Sequence, residues 1–109
     1  MATIKVSTKS NPNSVAAAVG GFIRRDLYVD ALIVGAGAMN QTMKAVAIAR
    51  GNLLDEGYDL VCIPGFTTVD IDGDSRTAMI LRIEHRAAEV IDLRDPLPEA
   101  AEIPLTSME

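Results

Sequence analysis

The amino-acid sequence predicts an α+β fold, with two helices that cover one face of a four-stranded mixed sheet. Two observations lead to this prediction. Each of two stretches with apolar residues at helical spacing follows a strand pattern, and two longer strand patterns come last along the chain. A tight-turn signal separates those last two strands, which is typical of an antiparallel hairpin. The predicted order of elements is therefore β-α-β-α-β-β.

The first predicted strand covers residues 3–9, where apolar and polar residues alternate. Ile4, Val6 and Thr8 fall on one side of it, and lysines and a serine fall on the other. This alternation predicts an amphipathic strand whose apolar side meets the core. A polar, proline-containing turn over residues 10–14 is expected to end it.

The first predicted helix follows that turn, and either Asn13 or Ser14 can cap its N-terminus. Apolar residues recur three and four positions apart along it, which predicts one buried face. The side chains expected on that face are Val15, Val19, Phe22 and Ile23. The helix is expected to end at residues 24–26, which are all charged.

A short apolar strand, a glycine turn and a second helix occupy the middle of the chain. Residues 32–34 are all apolar, which is typical of a strand covered on both faces. Gly35 and Gly37 allow a sharp turn and leave no Cβ in the way of a ligand. Asn40 and Lys44 then lie on the first turns of the helix, near free backbone N–H groups that attract anions.

This glycine turn has two open interpretations. It is either a purely structural tight turn or a turn that also presents N–H groups to a phosphate. A dinucleotide-binding turn is disfavoured, because Asn40 occupies the position of the third glycine of that motif. Further along the helix, residues 45–49 are all apolar, so we expect cover from the sheet on one side. The first helix or another subunit would cover the other side.

The last two predicted strands form a hairpin. Residues 60–71 read as one strand that Pro64 and Gly65 interrupt, which predicts a bulge or an edge position. Residues 72–74 have the composition of a hairpin turn, and the last strand is predicted over residues 76–86. The side chains expected on its apolar face are Thr77, Met79, Leu81 and Ile83.

The net charge of −5 belongs to the C-terminal part of the 109-residue chain. Residues 1–86 hold nine basic and nine acidic residues, whereas residues 87–109 hold one arginine and six carboxylates. We therefore expect a neutral folded domain over 1–86 and an acidic, mostly flexible tail over 87–109. Val90, Ile91 and Leu93 give that tail local docking residues. A neutral domain lacks the strongly basic footprint of a dedicated DNA-binding protein.

The composition also argues against several other classes of protein. No run approaches the roughly 18 apolar residues of a membrane span, and the N-terminus does not resemble a secretion signal. A single cysteine favours a cytoplasmic location. No spacing of His, Cys, Ser and acidic residues suggests a catalytic or metal site, so we expect no enzyme activity, no cofactor and no metal. Asp70, Asp72 and Asp74 are expected at a solvated hairpin tip.

Several separate motifs, in order, closely resemble the stage V sporulation protein S family. They are KVS at 5–7, NPNSVA at 11–16, GAGAMNQ at 35–41, KAVAIARG at 44–51, IP at 63–64, IDG at 71–73 and RTA at 76–78. The resemblance covers residues 3 to about 86. That family is similar in fold to the Alba chromatin proteins, which are dimers that bind DNA or RNA. The resemblance implies an Alba-like fold, a homodimer and a non-enzymatic regulator in bacterial sporulation or gene regulation.

The same resemblance implies a nucleic-acid-binding surface. In Alba proteins this surface comes from the first strand–helix loop, the second strand–helix turn and the long hairpin. The matching positions in this chain are Lys9, Asn11, Gly37, Asn40, Lys44 and Arg76. With so few cations, binding to DNA or RNA is expected to be weak and to fall steeply with salt. The alternative is a dimeric protein-interaction module without nucleic acid, which the acidic hairpin tip and the acidic tail favour.

Overall fold

The structure, a computed structural model, describes residues 2–86, 90–94, 99, 101 and 102. The elements in chain order are β1 (Thr3–Val6), α1 (Pro12–Asp26), β2 (Tyr28–Ile33), α2 (Ala36–Leu54), β3 (Asp59–Ile71) and β4 (Asp74–Arg86). They form one four-stranded sheet in the order β1-β2-β4-β3. The pair β1–β2 is parallel and the other two pairs are antiparallel, so the predicted mixed α+β fold is confirmed.

Both helices pack on one face of this sheet and against each other. Along β2, Val29, Ala31 and Ile33 are fully buried, whereas the alternate residues are only half-buried. This period of two shows that one face is covered and the other is open to solvent. The expectation that residues 32–34 are covered on both faces is therefore wrong, because both helices lie on the same side. The strand also begins earlier, at Tyr28.

The core between the helices and the sheet contains two of the four α1 residues that helical spacing predicted. Val19 and Ile23 of α1 have no exposed surface, and neither do Leu53 of α2 and Ile83 of β4. The remaining two predicted α1 residues, Val15 and Phe22, pack at the edge of the core and are half-buried.

The connection from β1 to α1 is longer than predicted. Ser7 N–H donates to Ser10 Oγ at 3.0 Å, and Ser10 N–H donates to Ser7 O at 3.0 Å. These bonds fold residues 7–10 into a turn, so the strand ends at Val6 and not at residue 9.

The N-cap of α1 also differs from the prediction. Asn11 is the cap, because its Oδ1 accepts from Asn13 N–H at 2.8 Å and from Ser14 N–H at 3.3 Å. Pro12 at the first helical position needs no such partner, since it has no N–H group. Asn13 and Ser14 therefore lie inside the first turn, and neither is the cap.

The hairpin of β3 and β4 is a continuous ladder from Asp59↔Arg86 to Ile71↔Asp74. Pro64 and Gly65 keep the register without a bulge. The predicted edge position is confirmed, since β3 is the outer strand and a proline there needs no ladder partner on its free side. The tip is a two-residue turn at Asp72 and Gly73, which both have positive φ.

The hairpin extends beyond the part of the sheet that the helices cover. The last residue of β2, Ile33, pairs with Met79, so the β4 residues before Met79 have no β2 partner. Thr77 lies in this extension and is exposed, although the alternation predicted it on the apolar face. The alternation of side chains along β4 was predicted correctly, but Thr77 lies beyond the part of the strand that the helices cover.

Candidate nucleic-acid interface

The turn between β1 and α1 lies directly on the first turns of α2. A Cβ at Gly37 would lie 2.9 Å from both Thr8 Cγ2 and Thr8 Oγ1. Gln41 Nε2 donates to Ser10 O at 3.0 Å and ties the same turn to the helix. Lys9 is exposed and lies between these two contacts, so its charge is held beside the N-terminus of α2.

Gly37 therefore has a different role from the one predicted. Gly35 is the residue with positive φ, at 92°, and it precedes the helix as its N-cap. Gly37 already belongs to the first helical turn, where its missing Cβ permits the close approach of Thr8. Gly35 provides the positive φ that the bend requires, and Gly37 leaves the space that Thr8 occupies.

The N-terminus of α2 is open to an anion. Gly35 has no side chain that could cap the helix, and the first turn contains no acidic residue. Residues 35–37 are all exposed. The free N–H groups of a 19-residue helix thus meet solvent with the positive end of the helix dipole behind them.

Two further predicted residues continue this surface along α2. Asn40 and Lys44 are exposed, and they lie three and seven positions after Gly37, on one side of the helix. Together with the β1–α1 turn they form one polar patch. We refer to it as the loop-end surface, which consists of Lys9, Gly37, Asn40 and Lys44.

Lys5 borders the loop-end surface from the open face of the sheet, since it pairs with Leu32 on that face. It is exposed on the edge strand β1, and it lines one surface depression together with Lys9 and Ile71. Ile71 lies directly before the hairpin turn. Because it shares this depression with Lys5 and Lys9, the tip of the hairpin reaches toward the β1–α1 turn. Because β1 ends at Val6, the alternation predicted over residues 3–9 does not extend to Lys9, and the turn at residues 7–10 decides its position.

Two of the six predicted residues are not part of this patch. Asn11 lies at the same end of the fold, but its side-chain oxygen already accepts two backbone N–H groups as the cap of α1. Arg76 lies on the hairpin extension, opposite Val69 and three residues before Met79. The structure thus brings four predicted residues together and leaves Arg76 on a separate arm.

The charges of the fold divide into paired arginines and unpaired lysines. Arg24 pairs with Glu56 at 2.7 Å, and Arg82 pairs with Asp30 through two bonds of 2.8 Å. Arg50 pairs with Asp59 at 2.6 Å. Within the described residues no lysine forms an ion pair, and Arg76 forms none either. Most of the positive charge left free by the fold is therefore at the loop-end surface and on the nearby hairpin.

An apolar crease lies beside this surface, between α2 and the hairpin extension. Met39 and Ala36 of α2 line it on one side, and Phe66 and Met79 line it on the other, around a volume of about 360 Å³. Phe66 is 79% exposed, and Met43 on the next turn of α2 is 44% exposed. Large apolar side chains so close together on a surface are typical of a protein–protein contact.

Other kinds of site find no support in the described part of the chain. No group of three or more His, Cys, Asp or Glu side chains there could hold a metal ion. Cys62 is half-buried, and burial raises the pKa of its thiol, which disfavours the reactive thiolate. Among the same residues, no helix combines the length and the hydropathy that crossing a bilayer requires.

Comparison with protein families agrees with the resemblance seen in the motifs. The family described as stage V sporulation protein S matches residues 2–86. The match includes all four strands and both helices, and with them every residue of the loop-end surface. It ends where the acidic segment begins.

Proposed function

The chain belongs to the stage V sporulation protein S family of sporulation regulatory proteins, and on that premise we propose that it binds nucleic acid through the loop-end surface. In this proposal, the protein is a bacterial, cytoplasmic and non-enzymatic regulator that acts as a homodimer, as Alba proteins do. Its ligand is the phosphate backbone of DNA or RNA.

The observation behind this proposal is the placement of unpaired positive charge beside free backbone N–H groups. Lys9 lies in the turn that contacts the uncapped N-terminus of α2, and Lys44 lies two turns beyond Gly37 on the same helix, whereas the described arginines other than Arg76 and Arg86 are held in ion pairs. Lysines and helix N-termini both bind phosphate without reading bases. A surface with so few cations binds weakly, and its affinity depends strongly on salt.

Nucleic-acid binding is expected to require both lysines. At about 50 mM salt, the chain should retain a labelled DNA or RNA duplex in a gel shift, and Lys9→Ala/Lys44→Ala should weaken that binding at least about tenfold. The slope of log affinity against log salt should become less steep by about one for each cation that contacts a phosphate.

A matched control removes two positive charges at the opposite end of the fold. Arg25→Ala/Arg86→Ala changes the net charge by the same amount, at the end of α1 and the end of β4. Binding should then stay within about twofold. Equal losses in the two double variants would mean that net charge alone causes retention. No retention by the unaltered chain at this salt concentration would favour the protein-interaction module.

A homodimer is the second part of the proposal, and the apolar crease with its exposed side chains supports it. Phe66 would leave water if a second copy covered the crease. The crease adjoins the loop-end surface, so a pair of chains would bring two sets of lysines to one ligand. Two sets would raise the affinity through multivalency without any new kind of contact.

Self-association is expected to depend on Phe66. Phe66→Ser should convert the dimer to a monomer at micromolar concentration, as measured by light scattering, because the variant loses the largest exposed apolar group at the crease. Ile63→Ser is the control, since Ile63 is also exposed, at 53%, but lies on the open face of the sheet. A monomer in the unaltered chain, or dissociation by Ile63→Ser instead, would contradict this placement.

A further inference from the structure

The segment after the sheet is held at the C-terminal end of α2 by a buried ion pair. Arg50 Nε donates to Asp59 Oδ1 at 2.6 Å, and the same guanidinium donates through its terminal nitrogen to the backbone oxygen of Ile91. The Arg50 side chain is 18% exposed and that of Asp59 is 2% exposed. The pair is therefore shielded from water where the segment crosses it.

The second member of the pair contacts the same residue of the segment. Hydrogen bonding to Arg50 is the main reason why the pKa of Asp59 lies below its usual range. The backbone N–H of Leu60 donates to Asp59 Oδ1 at 2.9 Å and lowers that pKa further, and the backbone N–H of Ile91 lowers it as well. The C=O of Ile91 thus faces Arg50 and its N–H faces Asp59.

The side chains of the segment contribute far less to this contact. Ile91 is 48% exposed and Leu93 is 65% exposed. Arg94 lies 3.5 Å from Asp55 and bonds to Asp92 within the segment, but these groups are about half or more exposed. Exposed pairs of this kind add little stability. The buried part of the contact is made to the main chain.

We propose that Arg50 and Asp59 form a peptide clamp, which binds a segment by the N–H and C=O of one residue, and that residues 90–94 of the same chain occupy it. The ligand class is a peptide without a strict side-chain requirement at the clamped position. This site lies outside the loop-end surface, and the proposal does not depend on nucleic-acid binding.

The position of the clamp decides where the acidic segment leaves the domain. Arg50 and Asp55 lie at the C-terminal end of α2, and a helix of this length spans about 28 Å. The clamp therefore holds the first part of the acidic segment at the end of α2 opposite Gly37. Carboxylates attached at that point begin well away from Lys9, whereas Lys44 lies only about 9 Å along the helix axis from Arg50.

Two substitutions at Ile91 separate main-chain binding from side-chain binding in the full chain. Ile91→Pro removes the N–H group that the clamp assigns to Asp59, and the substitution lies outside the folded domain. Ile91→Ala removes most of the side chain and keeps both backbone groups. NMR order parameters of the Asp92 and Arg94 amides should be about 0.8 in the unaltered chain and in Ile91→Ala, and below about 0.6 in Ile91→Pro.

Arg24→Ala is the control on the domain, because Arg24 forms an exposed pair with Glu56 and makes no hydrogen bond to residues 90–94. The order of the segment should not change in this variant. Equal loosening by Ile91→Ala and Ile91→Pro, or none by Ile91→Pro, would overturn the clamp. Order parameters that fall on dilution would show that a second copy supplies the segment, which would overturn the assignment to the same chain.

Discussion

Replacing Ile83 by alanine is expected to lower the free energy of unfolding by about 3 to 4 kcal/mol. Ile83 has no exposed surface and lies on the covered face of β4, between Val29 and Cys62 in the ladder. The shorter side chain would leave a cavity between the sheet and the helices, and close-packed neighbours fill such a cavity only in part. Urea unfolding followed by circular dichroism measures the loss.

Ile80→Ala is the matched control for this prediction. Ile80 is the same residue type on the same strand, but it is half-buried on the open face, opposite Leu32 and Gly65. Its replacement should cost less than half as much, because water already reaches the side chain. Equal losses at the two positions would mean that the open face is covered in solution, contrary to the two-layer fold.

Asp59→Asn is expected to lower the free energy of unfolding by about 3 kcal/mol at pH 7, since it leaves the shielded Arg50 guanidinium without a counter-charge. The amide keeps the shape of the carboxylate and an acceptor for Leu60 N–H, so the change isolates the charge. Thermal or urea unfolding of both proteins between pH 7 and pH 3 measures the difference.

The sign of the pH dependence follows from the lowered pKa of Asp59 in the folded state. A carboxyl group with a lowered folded pKa stabilises the protein above its unfolded pKa, which is about 4, and this stabilisation is lost as the pH falls through the folded pKa. The two proteins should therefore converge in stability in acid. A penalty that is the same at pH 7 and pH 3 would contradict the ion pair as its cause.

Glu56→Gln provides the control for this experiment. It makes the same chemical change in the Arg24–Glu56 pair, where both side chains are more than 40% exposed. Solvent screens such a pair, so this substitution should change stability very little at any pH. A large effect there would mean that surface charge, and not burial, controls the stability of the fold.

The candidate site was predictable where it depends on local patterns. Gly35, Gly37, Asn40 and Lys44 lie within ten residues of one another, so strand and helix periods alone place them on one bend and one helix face. Lys9 followed from the resemblance, and the structure then placed it beside that bend. Arg76 lies on a different element, and local patterns contain no information on how a hairpin arm is oriented.

The peptide clamp was not predictable from the sequence in the same way. Arg50, Asp59 and Ile91 belong to a helix, a strand and the segment after the sheet, and each alone looks like an ordinary residue of its element. From the sequence, Ile91 was predicted only as a residue that could dock locally. The contact depends on which helix end lies over the start of β3, and packing of the whole domain decides that.

The sequence by itself determined the order of the elements, the placement of both helices on one face of the sheet, the hairpin turn and the buried faces of the helices. Each follows from the spacing of apolar residues and from the turn residues, which can be read from stretches close along the chain. Only the tertiary structure decided that β3 is an edge strand without a bulge, that Thr8 contacts Gly37 and which cations are paired. These features depend on contacts between residues far apart in the chain, and such contacts form only when the helices pack on the sheet.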